Sequence, residues 1–167
     1  LFEAIQQLDK EGKITPKTTK INWYIDENAK KDLIKLCTKY KIETYNHFYD
    51  FIPYNQIPNI IRQASINLIL TTKASKQGPH GIMTTKFFEA LGVEKPVLCV
   101  RSDEDCLANA IVKTNAGLAA KNVEEVENFI MEKYAEWQQY GFTHQDVNQE
   151  HKLPFSRQKQ AEQFVEL

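Results

Sequence analysis

The chain has 167 residues, 42% hydrophobic and 26% charged, with a formal net charge of −1; this suits one α/β domain of ordinary size with a proper core. So balanced a charge supplies no general field to draw nucleic acid or an anionic membrane, and nucleic acid is not an expected partner. No apolar run approaches the ~20 residues of a membrane span, and no signal-peptide pattern opens the chain.

Helix and strand patterns alternate from end to end. The segment 1-LFEAIQQLD-9 reads as a helix already in progress, so the chain is expected to start inside a larger protein. A loop with glycine and proline leads to a strand at 20-KINWYI-25, followed by a helix over about 28–41 with Leu33, Leu36, Cys37 and Tyr40 on one face. A short strand near 42-IETYN-46, a loop over 47–56 and a helix over about 57–64 come next, the helix burying Ile57, Ile60, Ile61 and Ala64. The run 66-INLIL-70 is continuously apolar, as a central parallel strand covered on both faces should be.

The long segment 71-TTKASKQGPHGIM-83 separates that strand from a helix over about 84–92, which stops at a glycine and feeds the apolar strand 96-PVLCV-100. A helix over about 106–115, a strand at 117-GLAA-120 and a long helix over about 123–139 complete the alternation. In the long helix Val126, Phe129, Ile130, Tyr134 and Trp137 recur at three- and four-residue steps. A polar linker over 141–153 then reaches a last helix starting near Pro154, with Phe155, Ala161 and Phe164 on it. This pattern predicts right-handed βαβ units and a three-layer, Rossmann-like open parallel sheet with helices on both faces. Residues 1–140 form the domain, and 141–167 the linker and C-terminal helix.

Cys37 and Cys99 fall on a helix and an apolar strand, so buried thiols are expected; no Cys/His spacing matches a zinc site. Trp23 and Trp137 read as packing residues, and His144 and His151 show no partner. The acids of 101-RSDEDC-106 suit a loop and helix N-terminus.

In open parallel sheets ligands bind outside the carboxyl ends of the strands. A connection as long as 71–83 exceeds the usual 2–6 residues of a βα loop, and such length usually has a use. Lys73, Ser75, Lys76, Gly78 and His80 suit an anion, and the loop ends at Thr84 and Thr85, where a helix N-terminus offers free N–H groups. A phosphate is the expected guest. Glu89, about one turn inside that helix, sits too far in to touch phosphates but can accept two hydrogen bonds from a ribose diol. The bland alternative is a solvated helix carboxylate. His80 and Lys86 carry the same choice between a phosphate role and solvation, while Lys73 and Lys76 read as solvated lysines acting on anions only through their field.

The order 48-FYDFIPYNQIPNIIRQASINLIL-70, then 86-KFFEALGVEKPVLCV-100, then 115-NAGLAA-120 resembles the C-terminal, donor-binding domain of the retaining GT-B glycosyltransferases of group 1. That family shows F-x-G-x-V-P-x-x-x-L-P-x-L, a long loop, E-A-(x)-G-x-P-V and a downstream N-x-G-L. The likeness covers about residues 20–135 and lies in order and spacing. It implies that Glu89 binds the donor ribose, that His80, Gly81, Ile82, Met83, Thr84, Thr85 and Lys86 face the diphosphate and transferred sugar, and that Phe51 and Ile52 lie beside the nucleobase. Two positions depart from the family: Gly81 stands where a sugar-contacting glutamate is usual, and Asp50 where glycine is usual.

The resemblance further implies transfer of a sugar from a nucleoside diphosphate sugar to a glycan or lipid-linked acceptor in bacterial surface polysaccharide synthesis, with neither metal nor cofactor. The catalytic residues on the acceptor side would belong to an N-terminal domain of the same polypeptide that this chain lacks, so the fragment alone is expected to be inactive. Such an enzyme would be cytoplasmic, held peripherally at the inner face of the membrane through that domain. Two other readings stay open: a sugar-nucleotide epimerase of the same architecture, whose catalytic carboxylates and histidine are not evident, and a non-catalytic flavodoxin-like nucleotide-binding module.

Overall fold

Local chemistry sets the helix ends in the computed structural model, which describes residues 1–75, 77 and 83–165. The elements run α1 (Phe2–Lys10), β1 (Ile21–Tyr24), α2 (Glu27–Tyr40), β2 (Asn46–Tyr49), α3 (Ile57–Gln63), β3 (Asn67–Leu70), α4 (Thr85–Val93), β4 (Val97–Val100), α5 (Cys106–Lys113), β5 (Gly117–Ala119), α6 (Val123–Tyr140), α7 (Gln149–Lys152) and α8 (Arg157–Val165). Asp26 caps α2 by accepting from the backbone N–H groups of Asn28 (2.8 Å) and Ala29 (3.0 Å), satisfying donors the helix cannot use itself. Asn122 caps α6 through the Glu125 N–H (2.9 Å), and Gly141, at φ 77°, ends it in the left-handed conformation glycine adopts without strain.

The strands form two small parallel sheets, one of β1 and β2 and one ordered β3-β4-β5. The chain is therefore mixed α/β, compatible with a Rossmann-like fold. Among the described residues no ladder joins β1 to β3. Strand β4 is buried on both sides. Its Leu98 and Val100 pack with Ala4, Ile5 and Leu8 of α1 and with Val126, Phe129 and Ile130 of α6. Its Val97 and Cys99 pack with Phe87, Ala90 and Leu91 of α4 and with Leu107 and Ile111 of α5. Side chains alternate across a strand, so an apolar partner on each side demands an unbroken apolar run. Each such side chain contributes about 1.5–3 kcal/mol on full burial.

Several sequence expectations shift. The apolar run of β3 does not mark the centre of a sheet: β3 is an edge strand of the described sheet with Leu70 exposed, although Leu68 and Ile69 are covered on its two faces as expected. The strand expected at 42–46 is a 3-10 turn at Glu43–Tyr45, and β2 follows it. Ile42 and Tyr45 are both buried, three residues apart, which a 3-10 turn permits and a strand does not. Asn46 then fixes the turn, donating to the Ile42 carbonyl and accepting from the Trp23 indole, each at 2.8 Å. Helix α4 does not stop at Gly92; it runs to Val93 and ends at Glu94, with φ 55°. On α3, Ile57, Ile60 and Ile61 are only half-buried, because that helix leans on α4 from the outside.

The polar segment after α6 is a packed strap. Thr143 donates to the Ser65 carbonyl (2.6 Å), Lys95 donates to the Thr143 carbonyl (2.9 Å), and Val147 is buried beside α5. Glu94 is bonded by Lys152 and, at 3.0 Å, by Gln149, and Phe155 packs on Phe87 and Phe88. Beyond it Ala161 and Phe164 of α8 are exposed.

The Lys152 hydrogen bond, aided by Gln149, holds the Glu94 carboxyl below its ordinary pKa. A depressed carboxylate contributes stability that is complete above its unfolded pKa of about 4.3 and fades as pH falls through the lower folded value. Both side chains are partly solvated, so the pair is worth no more than about 1 kcal/mol. Glu94→Gln is expected to melt slightly below the parent at neutral pH, with the gap closing below about pH 4. Melting curves from pH 3 to 8 check this; a gap independent of pH would remove the ion pair from the account.

Candidate active-site groove

Glu89 sits in the second turn of α4, the helix that follows β3. Thr84 starts this helix in an extended conformation, its Oγ1 accepting from the Lys86 N–H at 3.4 Å. Phe87, Ala90 and Leu91 face the core. The opposite side, with Phe88, Glu89 and Gly92, looks across to α3. Between the helices lies a groove of about 260 Å³, bounded by Ile57, Ile61 and Arg62 of α3, by Tyr54 just ahead of it, and by the α4 residues.

Among the described residues, no hydrogen bond or ion pair engages either the Glu89 carboxylate or the Arg62 guanidinium. This contrasts with Glu94 at the C-terminal end of the same helix, which is held by two partners. An acceptor-only group and a donor-only group thus line one groove with an aromatic ring and branched aliphatic side chains. Such a lining can take a planar or sugar-like ligand that offers hydroxyls to the carboxylate and an anionic or carbonyl oxygen to the guanidinium.

The other expected site residues are placed as follows. His80, Gly81 and Ile82 lie outside the described residues, as do Lys76, Gly78 and Pro79 of the same loop. Met83 is half-buried against the α4–α5 core. Thr84 is half-buried, while Thr85 and Lys86 are exposed. Phe51 is 74% exposed and Ile52 half-buried, and neither lines the groove that holds Glu89. Tyr54 does, with Arg62; sequence reasoning singled out neither, because both reach Glu89 only through the contact of α3 with α4.

Comparison of the chain with family models, with curated proteins and with solved structures gives no match.

Lys73 is not a free lysine: its ammonium pairs with Glu104 at 2.8 Å, a contact that holds the Glu104 carboxyl low. The loops after β3 and β4 are also tied by their backbones, Thr71 N–H to Val100 O (3.0 Å), Arg101 N–H to Thr71 O (3.2 Å) and Ala74 N–H to Asp103 O (2.9 Å). Asp103 is buried and accepts from the N–H groups of Asp105 (3.1 Å), Leu107 (2.9 Å) and Ala108 (2.9 Å). The acids of 101–106 thus include a true helix cap, which fixes the start of α5.

Burial pushes the Cys99 thiol up to about 12 and raises that of Cys37; the exposed Cys106 is raised chiefly by the Asp105 carboxylate. Neither buried thiol nor Cys106 is poised as a nucleophile. Among the described residues no group of three or more His, Cys, Asp and Glu side chains could hold a metal. His144 and His151 lie on the strap, His151 with its Nδ1 buried and without a hydrogen-bond partner among the described residues. No described helix is long and apolar enough to cross a membrane.

Proposed function

We propose that this chain is the donor-binding half of a GT-B glycosyltransferase, with Glu89 holding the ribose of a nucleoside diphosphate sugar. The supporting observation is a carboxylate that no hydrogen bond or ion pair engages among the described residues, in the α3–α4 groove, one turn inside a helix that follows a parallel strand. A vicinal diol suits that carboxylate, since two hydroxyls can donate to its two oxygens. Arg62 and Tyr54, in the same groove, supply a cation and a ring for the rest of the nucleotide. Phosphates would lie toward the start of α4, where unused N–H groups and the helix dipole favour negative charge.

On this reading the sheet of the whole domain is a three-layer, Rossmann-like one. The acceptor, a glycan or a lipid-linked glycan of a surface polysaccharide, would be bound by a further domain of the same cytoplasmic, membrane-peripheral polypeptide. Transfer would need no metal, because the helix end and basic groups stabilise the departing diphosphate. Without the acceptor side, this chain would bind donor and turn over nothing.

Glu89→Gln is the direct test. The amide keeps the size but turns one acceptor oxygen into a donor, and charged hydrogen bonds are worth about 1.5–3 kcal/mol. Nucleoside diphosphate affinity should therefore fall about tenfold or more, with melting nearly unchanged. A 2′,3′-dideoxy nucleotide should lose a comparable amount against the parent and little further against the variant, since both changes remove one interaction. Calorimetry with UDP, GDP, ADP and CMP measures this. A folded chain that binds none of the four would falsify the donor reading; a variant that melts much lower yet binds unchanged would make Glu89 structural.

A further inference from the structure

Three cations stand just past the ends of three neighbouring parallel strands. Lys73 follows β3, Arg101 is the first residue after β4, and Lys121 comes two residues after β5. Their loops are tied to one another close to each cation. Arg101 N–H donates to the Thr71 carbonyl (3.2 Å), Ala74 N–H to that of Asp103 (2.9 Å) and Ser102 N–H to that of Ala120 (2.8 Å). Ser102 and Asp103 are buried, and Ser102 Oγ accepts from the Glu104 N–H at 3.1 Å. Backbone anchored in this way keeps long side chains over one small area.

Glu104 sits among these cations. Its carboxylate pairs with the Lys73 ammonium at 2.8 Å, and the charges of Lys121 and Arg101 also act on it. Glu104 reaches that place in a left-handed conformation, φ 54°, which a residue with a side chain adopts only at a cost. An ordinary surface ion pair needs neither a strained backbone nor a second and third cation. The other acids nearby are engaged elsewhere. Asp103 takes three N–H groups at the start of α5, and Asp105 accepts from the Cys106 thiol at 3.7 Å. Glu125 accepts from the Lys121 N–H (2.7 Å) and the Asn122 amide (3.1 Å). Among the described residues, no hydrogen bond or ion pair engages the Arg101 guanidinium or the Lys121 ammonium. A lysine offers three donors and an arginine five, so one carboxylate leaves most of that capacity open.

We propose that Lys73, Arg101 and Lys121 form a phosphate-binding site, and that Glu104 occupies it as an internal anion until a phosphate group displaces its carboxylate. Phosphate is the fitting anion, because it carries more charge than one carboxylate and its oxygens accept from several donors at once. Arg101 can grip two of those oxygens, while the lysines act as point charges. The displaced Glu104 carboxylate turns to solvent, which its exposed position allows. This site is separate from the donor reading, which rests on Glu89 in the α3–α4 groove, and neither needs the other.

Amide NMR of the chain titrated with inorganic phosphate, glycerol phosphate and acetate tests this. Shifts should centre on 71–74, 101–105 and Lys121, and the affinity should fall as salt screens the charges. The sign of the effect at Glu104 is decisive. Glu104→Gln should tighten phosphate binding about fivefold, and Arg101→Ala or Lys121→Ala should weaken it by a similar factor. Glu104→Gly removes the same carboxylate and relieves the left-handed backbone, so it should tighten binding equally and melt no lower than the parent. Glu11→Gln breaks a different exposed pair, Glu11 with Lys13 at 2.7 Å, and should change nothing. Glycerol phosphate binding more tightly than inorganic phosphate would identify a phosphate ester as the ligand, and equal binding the free ion; both support the site. Acetate binding as tightly as phosphate would overturn the proposal, as would unchanged affinity in both Glu104 variants or an equal gain in Glu11→Gln. So would loss of the phosphate shifts in Glu89→Gln, which would return the anion to the groove.

Discussion

Gly117→Ala is expected to lower the melting temperature by about 8–16 °C, at the ~2–4 °C per kcal/mol typical of this size. Gly117 has φ 148°, and a Cβ built there would meet Val97 of β4 at 2.0 Å from its O, 2.7 Å from its N and 2.8 Å from its C. All three are backbone atoms of the central strand, so no rotamer relieves the clash. β5 must move away instead, loosening the bonds that hold it, Val97 N–H to Ala116 O (2.9 Å) and Ala120 N–H to Cys99 O (3.0 Å). Leu118 would leave its place against the first core. Strain, lost ladder and lost burial together put the cost at roughly 4 kcal/mol or more. Gly12 is the control: it has φ 67° with nothing within 4 Å of a built Cβ, so Gly12→Ala should cost only about 1 kcal/mol. Thermal melts of the two variants decide it. If Gly117→Ala melts no lower than Gly12→Ala, β5 does not approach β4 as closely as described.

This contact also shows why 115-NAGLAA-120 was legible as a unit. A glycine between small residues, after a helix and before another, marks a close backbone approach, and β5 makes one. The alternation of helix and strand was readable for a similar reason: β4 is covered on both sides, and α6 buries Val126, Phe129 and Ile130 at helical spacing. Periodicity carries such information because it reports local exposure. It carries none about which strands pair. The break between β1 and β3 was therefore invisible, and β3, with the same apolar character as β4, passed for a central strand.

The strap failed for the opposite reason, since its composition is polar while its anchors are distant in sequence. Thr143 bonds Ser65, 78 residues away, and Lys152 bonds Glu94, 58 residues away. At the candidate site, Glu89 was legible from its place in α4, after a loop suited to anions. Tyr54 and Arg62 were not, because α3 brings them to Glu89 only through tertiary packing. Phe51, singled out for a base, is exposed and does not line that groove.

Phe87→Ala is the second large effect, and it concerns the other side of the helix that carries Glu89. Phe87 is fully buried, with its ring 5.8 Å from Phe88 and 6.0 Å from Phe155, the latter at 84° in an edge-on contact. Truncating a buried phenylalanine costs about 3–5 kcal/mol through lost transfer energy and the cavity left behind, which here is a fall of roughly 6–20 °C. The cavity would open between α4 and the strap, because Phe155 loses the face it rests on. Phe155→Ala should cost less, being only half-buried, and the double variant should fall short of additivity by about 0.5–1.5 kcal/mol, the worth of the ring pair. Denaturant melts of the three variants measure that coupling. Strict additivity would mean that Phe155 touches α4 without bracing it. Taken with Glu89→Gln, the series separates the two sides of one helix: Phe87→Ala should move melting strongly and Glu89→Gln hardly at all, whereas the latter alone should lower nucleotide affinity at temperatures where both variants are folded. A Phe87→Ala protein that stays folded yet loses binding as fully as Glu89→Gln would show that the groove depends on the packing beneath α4 and not on the carboxylate alone.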